Sequence, residues 1–377
     1  MEVIQLLDIQ EVAGFPFVML PTNQTVLWKG APSLAPAPEG LPPEVAAARL
    51  VAVSRPALRR VRQASASEAG YPQVAVTLQR GNAFFDRYIA VDWSASSVPT
   101  LGSDSIWIAE AWWDSEGNWR EESARNCATR QEADEHLKTR LALPGRAVIG
   151  LDFAFGYPRG FAERLPGYGE PWLRTATYLA GTIQDSPSNV NNRNEVAAAI
   201  NRMVGASAGP FWGCHERASS PYLTAKRVGV FQFPHMGLAE WRFTDRRVRE
   251  SGTRLLSVWK INQGVSVGGQ TLMGIPYLLR LRAALRARSR AFRIWPFETQ
   301  WAPAFDGVTA VEMFPSLITG MTPAGEIKDR HQVRQCIARF GQLDAAGDLV
   351  SRFSRPAALE GDAEVAVRTE EGWIFLA

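Results

Sequence analysis

YIAVDWSASS, residues 88–97, sets an apolar run, Tyr88-Ile89-Ala90-Val91, directly against a carboxylate, Asp92, and then Ser94, Ser96 and Ser97. A run of this kind reads as a strand buried on both faces. A charge at its end is costly unless the chain uses it. The motif recurs. Ala147–Phe153 (AVIGLDF) carries Asp152 near its end, and Gly307–Phe314 (GVTAVEMF) carries Glu312.

Between the first two acidic strands the pattern predicts an antiparallel start and a crossover. Ser105–Trp113 and Trp119–Ala124 read as strands either side of the turn-like DSEGN at 114–118. Thr129–Leu141 reads as a helix, with Thr129 as N-cap, Glu132 as capping-box partner and Pro144-Gly145 as stop. Such a helix places the next strand parallel to a neighbour in the same sheet, so the chain is expected to be α/β. Residues 156–290 form a long, mostly helical insertion, with helices predicted at Glu195–Val204 and Tyr277–Arg290. The sheet pattern resumes at Ala291–Trp295 and Gly307–Phe314, followed by a helix from about Asp329 to Phe340.

At the carboxyl ends of parallel strands, ligands bind in the crevice just outside the sheet. Asp92, Asp152 and Glu312 would converge there if their strands are neighbours, and Asp329, opening the next helix, points back at the same pole. Converging carboxylates repel unless a hard cation lies among them, which makes Mg or Mn the expected filler, with Asp92, Asp152 and Glu312 as ligands. Two such ions about 4 Å apart activate water and stabilise the leaving oxygen in phosphodiester cleavage. The structural alternative stays open: Asp92 and Asp152 cap turns, Glu312 pairs with an arginine, and Asp329 is a helix N-cap.

The segments FDRYIAVDWSASS, SIWIAEA, GLDFAFGYPRGF, GPFWGC, SVWKINQGVSVGGQTLMGIP, RIWPFET and EEGWIFLA resemble a predicted RNase-H-like nuclease family of unknown function. They are most similar to bacterial members often labelled molybdopterin-guanine dinucleotide biosynthesis proteins. The resemblance spans residues 84–377. It implies an RNase-H-like mixed sheet with flanking helices, first and fourth strands adjacent, and Asp92 and Asp152 at a common pole as catalytic residues. Glu312 and Asp329 carry over as the remaining acids, and Asp362 only weakly.

Net charge is +3, but twelve basic residues lie between Arg242 and Arg293 against Asp245 and Glu250, leaving 29 basic against 36 acidic elsewhere. This excess predicts a phosphate-bearing partner, a nucleotide or nucleic acid, or else a solvated helix face. The glycine-rich Asn262–Pro276 is expected to be a loop at a helix N-terminus. With Ser94, Lys260, Gln270 and Thr271, and with Arg282 and Arg286 on the following helix, it forms the candidate substrate-binding set. Cys127, Cys214 and Cys336 show no CxxC spacing, which argues against a thiolate zinc site, and Cys214-His215 reads as structural. Thirteen tryptophans fit wide burial with polar handles.

No apolar run approaches the length of a membrane span and no secretory start is present, so a cytoplasmic protein with no membrane partner is expected. Residues 1–83, with the Pro/Ala stretch SLAPAPEGLPP at 33–43, are expected to be poorly structured, one reading being an over-extended start. Three functions follow: a divalent-metal-dependent phosphoesterase or nuclease; a non-catalytic nucleotide- or cofactor-binding accessory protein, linked by the resemblance to molybdopterin-guanine dinucleotide biosynthesis; or a degenerate domain contacting protein or RNA through its basic insertion.

Overall fold

A seven-stranded mixed sheet organises residues 78–377 in the computed structural model, which describes residues 78–262 and 266–377 and, nearer the N-terminus, the strands at 8–12, 15–19 and 25–27. Those three, β1 (Asp8–Val12), β2 (Phe15–Met19) and β3 (Thr25–Leu27), pair antiparallel within a separate unit, Met1–Thr77. The expectation for residues 1–83 falls largely outside the described residues. The larger unit begins at Leu78, and Ala83 is already buried in it.

The strands of the larger unit are β4 (Arg87–Asp92), β5 (Ile106–Trp113), β6 (Trp119–Glu121), β7 (Arg125–Cys127), β8 (Ala147–Leu151), β9 (Phe292–Ile294) and β10 (Val308–Glu312). They run in the order β6-β5-β4-β8-β10-β9, with β7 also on β5. β5 is antiparallel to β4, whereas β4, β8, β10 and β9 are parallel to one another. The central strands are mostly apolar because helices cover both faces, as in other sheets buried on two sides.

Residue alternation divides the core. Ile89, Val91, Ile149, Leu151 and Ala310 face a layer containing α1 (Arg130–Leu141), α2 (Pro171–Thr182), α3 (Arg193–Gly205) and α5 (Val267–Arg286). Tyr88, Ala90, Val148, Val311 and Met313 face α6 (Lys328–Ala345). Gly150 lies on this second face, where an added Cβ would come 2.8 Å from Met313 Sδ and 3.2 Å from the Phe340 ring. Its missing side chain lets α6 lie close to the sheet. The short α4 (Phe243–Glu250) and α7 (Gly361–Ala366), the latter continuing as a π-turn to Glu371, complete the unit.

Most predicted elements are present within a few residues of their expected bounds. Thr129 caps α1 by accepting the Glu132 N–H (3.2 Å), but the Glu132 carboxylate accepts from the Ala128 N–H (3.0 Å), one residue before the cap. The glycine-rich stretch departs from expectation. It is helical from Val267, ten residues before the predicted start, and Pro276 lies inside α5. Gly and Pro disfavour a helix locally, yet packing decides here. A Cβ at Gly268 would collide with the Val258 and Lys260 carbonyls, and one at Gly274 would sit 2.6 Å from the Phe153 ring. These glycines serve close approach of a buried helix. Among the described residues no helix is long and apolar enough to cross a membrane.

Candidate active site

Asp92 ends β4, and Asp152 follows β8 by one residue on the neighbouring parallel strand. The pairing Val91↔Leu151 puts the two acids level with each other, on the face covered by α6. A side-chain hydrogen bond joins them, and both remain partly exposed. Asp329, in the first turn of α6, belongs to the same charge cluster. Its Oδ2 accepts the Asp104 N–H at 2.7 Å, tying α6 to the end of the loop that leaves β4.

Burial, with the charges of Asp152 and Asp329, holds the Asp92 carboxyl well above the usual carboxylate range. Burial pushes Asp152 up to about 7, against the opposing pull of the Trp93 N–H, which donates to its Oδ1 at 2.6 Å, and of the Asp92 hydrogen bond. Burial raises Asp329 too. The pair therefore holds on to a proton to higher pH than ordinary carboxylates do.

Glu312 does not join them. Val91, Leu151 and Glu312 are register partners across three strands, so Glu312 points to the opposite face from Asp92 and Asp152. There it forms a two-point ion pair with Arg242 (2.6 and 2.8 Å) and accepts the Phe155 N–H at 2.9 Å. Arg242 also engages Asp245 and the Glu371 carbonyl, and all of these side chains are buried. The expectation of Glu312 as metal ligand and catalytic acid is corrected by one residue of register, and its pairing with an arginine is the alternative that holds. Met313 takes the level of the two aspartates on the third strand. Asp362, the weak candidate, sits 3.5 Å from Arg159 and is exposed.

The expected substrate set separates. Gln270, in the first turns of α5, donates to the Trp93 carbonyl at 2.5 Å and so lies beside the acids. Ser94 is buried, its Oγ donating to the Asp104 carbonyl and accepting the Ser96 N–H. Thr271 is buried too, and its hydroxyl returns to the Val267 carbonyl within the helix. The Lys260 ammonium lies 5.8 Å from the centre of the Trp212 ring. Arg282 and Arg286 both pair with Glu298 (2.6 and 2.8 Å). They occupy the far end of α5, about 18–24 Å of helix beyond Gln270, at the pole opposite the acids.

Two residues that sequence reasoning passed over build the surroundings of Asp92. Arg130, fully buried at the start of α1, donates to the Ser94 and Ser96 carbonyls (3.0 and 2.8 Å) and pairs at two points with Asp185 (2.7 and 2.6 Å). Arg193, at the start of α3, donates to Ser97 Oγ (2.8 Å) and to the Asn262 side chain (2.6 Å). Both sit at helix starts, where a lone arginine carries no sequence signal; only the folded loop 93–104 gives them a role.

Among the described residues no group of three or more His, Cys, Asp or Glu side chains is arranged to hold a metal ion. The chain matches no family model, no characterised protein and no solved structure with which it was compared, so the functional reading rests on this geometry.

Proposed function

We propose that the protein is an RNase-H-like, divalent-metal-dependent phosphoesterase, acting on a nucleotide or nucleic-acid phosphodiester with Asp92 and Asp152 as its central acids. The observation that carries this reading is the pair itself: two partly exposed carboxyls, level on adjacent parallel strands, at the carboxyl end of the sheet. The strand order is compatible with it: β4, the first strand of the domain, lies between antiparallel β5 and parallel β8, which puts the two acidic strands side by side.

The donor set suits Mg or Mn in kind, being oxygen only, and limits it in number. With Glu312 on the other face and Asp329 held by Asp104, the pair offers two carboxylates; Mg commonly takes one or two and completes its shell with waters and substrate phosphate oxygens. One ion, in place of the expected two, is therefore the reading that fits. Bound there, it would supply Lewis-acid polarisation of a phosphoryl oxygen and a more acidic water.

The chain's own residues prepare the site. The Trp93 N–H fixes Asp152 Oδ1, and the contact between the two carboxyls holds Asp92 beside it, where the pair would ligate the cation. Arg130 holds the carbonyls of Ser94 and Ser96, and Asp329 holds Asp104, so the loop between them is pinned at both ends. The N-terminus of α5, anchored through Gln270, brings the positive end of a twenty-residue helix toward a pole otherwise rich in negative charge.

The test is the full-length chain with Mg or Mn on RNA, DNA and nucleotide substrates. Hydrolysis abolished by chelation and reduced at least a hundredfold in Asp92→Asn is expected; metal-dependent hydrolysis unchanged in that variant rejects the assignment. A binding-only accessory protein has one observation on its side, the commitment of Glu312 to Arg242, which leaves a two-carboxylate site. Thermal stabilisation by nucleotides without any turnover would favour it.

A further inference from the structure

Among the described residues three arginines are buried, and they differ in one respect. Arg130 has Asp185, and Arg242 has Asp245 and Glu312. Arg193, nine-tenths buried, has no carboxylate within ion-pair distance among the described residues. Its terminal nitrogens meet only neutral oxygens, Ser97 Oγ and Asn191 Oδ1 (both 2.8 Å) and Asn262 Oδ1 (2.6 Å), and its Nε has no partner. Burial and the nearby charge of Arg130 lower its pKa to about 10, opposed only from beyond contact by Glu195 and Asp185. A buried guanidinium without a counter-ion is a standing cost that an anion would remove.

The surroundings favour an anion arriving from solvent. Ser97 is exposed, and its Oγ accepts from both Arg193 and Asn191 (3.4 Å), which leaves its own proton to be donated outward. Asn262 is itself held by Asn194 (2.9 Å), so the seat is braced from below. The start of α5 lies along the same loop, where a Cβ at Gly269 would come 3.3 Å from Ala95 Cβ, and its dipole adds positive potential. Ser97 is five residues beyond Asp92, at most about 17 Å of chain, and the loop is folded back by Arg130. The seat and the acid pair are thus served by one loop, the one Arg130 holds through the Ser94 and Ser96 carbonyls.

We propose that Arg193 and Ser97, beside the N-terminus of α5, seat a second phosphate of the substrate next to the one presented to Asp92 and Asp152. The ligand class is then one with two nearby phosphates, a diphosphate or a phosphodiester with a neighbouring phosphate. The word phosphate rests on the phosphoesterase reading; the existence of an anion seat does not.

Inorganic pyrophosphate is the probe, titrated calorimetrically into the full-length chain in EDTA at fixed ionic strength, with chloride as control. Wild type and Asp92→Asn are expected to bind, Arg193→Gln at least tenfold more weakly, and Ser97→Ala several-fold more weakly. Wild type responding no better to pyrophosphate than to chloride, or Arg193→Gln binding as wild type does, overturns the seat. Should Arg193→Gln fail to fold, Ser97→Ala decides: unchanged affinity overturns it, and weakened affinity supports it. Because no metal is present, pyrophosphate binding that survives Asp92→Asn supports the seat even where the hydrolysis test fails.

Discussion

Replacing Asp92 with asparagine should make the metal-free protein more stable, and only above about pH 4. The amide introduced there keeps a donor for Asp152 and removes the group that must stay protonated. The sign follows from linkage. A carboxyl whose pKa is higher folded than unfolded contributes fully below its unfolded value, near 4, and that contribution is lost as pH rises through the folded value. For Asp92 the loss is about 1.4 kcal/mol for each unit by which burial and the neighbouring carboxyls hold it above its ordinary value. Asp152, pushed up to about 7 mainly by its own burial, keeps its penalty in the variant, and Asp92 is partly exposed, so only the Asp92 contribution is relieved. A gain of at least about 1 kcal/mol is therefore expected at pH 8, with almost none at pH 4. Urea unfolding in EDTA at pH 4.5, 6 and 8 measures it, read as a shift in midpoint at constant m. A variant less stable than wild type at pH 8, or a difference that does not change with pH, refutes the reasoning.

The same proton predicts that Mg or Mn binds more tightly as pH rises through about 7 and releases protons on binding; calorimetry in buffers of different ionisation enthalpy should detect the release, and affinity independent of pH would count against the pair as ligands. Arg242→Ala strands Glu312 and Asp245 in the core and should cost about 3–5 kcal/mol in chemical unfolding, while pyrophosphate affinity of the folded protein is unchanged. Gly274→Ala, favourable in an ordinary helix, should instead destabilise by about 1–3 kcal/mol, read from the urea midpoint, because the new methyl meets the Phe153 ring. Arg282→Ala should leave ligand binding and hydrolysis untouched, since Arg282 serves Glu298 at the other pole; a loss of affinity would show that the basic helix reaches the substrate.

The sequence by itself determined the sheet and its first two acids. Apolar runs such as Tyr88–Val91 and Ala147–Leu151 can be buried only as central strands, and a carboxylate directly after such a run has little choice but the strand's end. Thr129 announced the first helix for an equally local reason, its hydroxyl replacing a missing backbone acceptor. What lay beyond local pattern was decided in three dimensions. Glu312 looked like a third site acid, but pleat alternation across β4, β8 and β10 turned it to the other face and to Arg242, a register that one strand alone does not reveal. The glycines of 268–274 looked like a loop because their function, contact with the distant Phe153 ring and with the carbonyls of Val258, Lys260 and Ile261, exists only once the chain is folded. Arg130 and Arg193 were silent in the sequence for the same reason: a buried charge acquires its meaning only from the groups that fold around it.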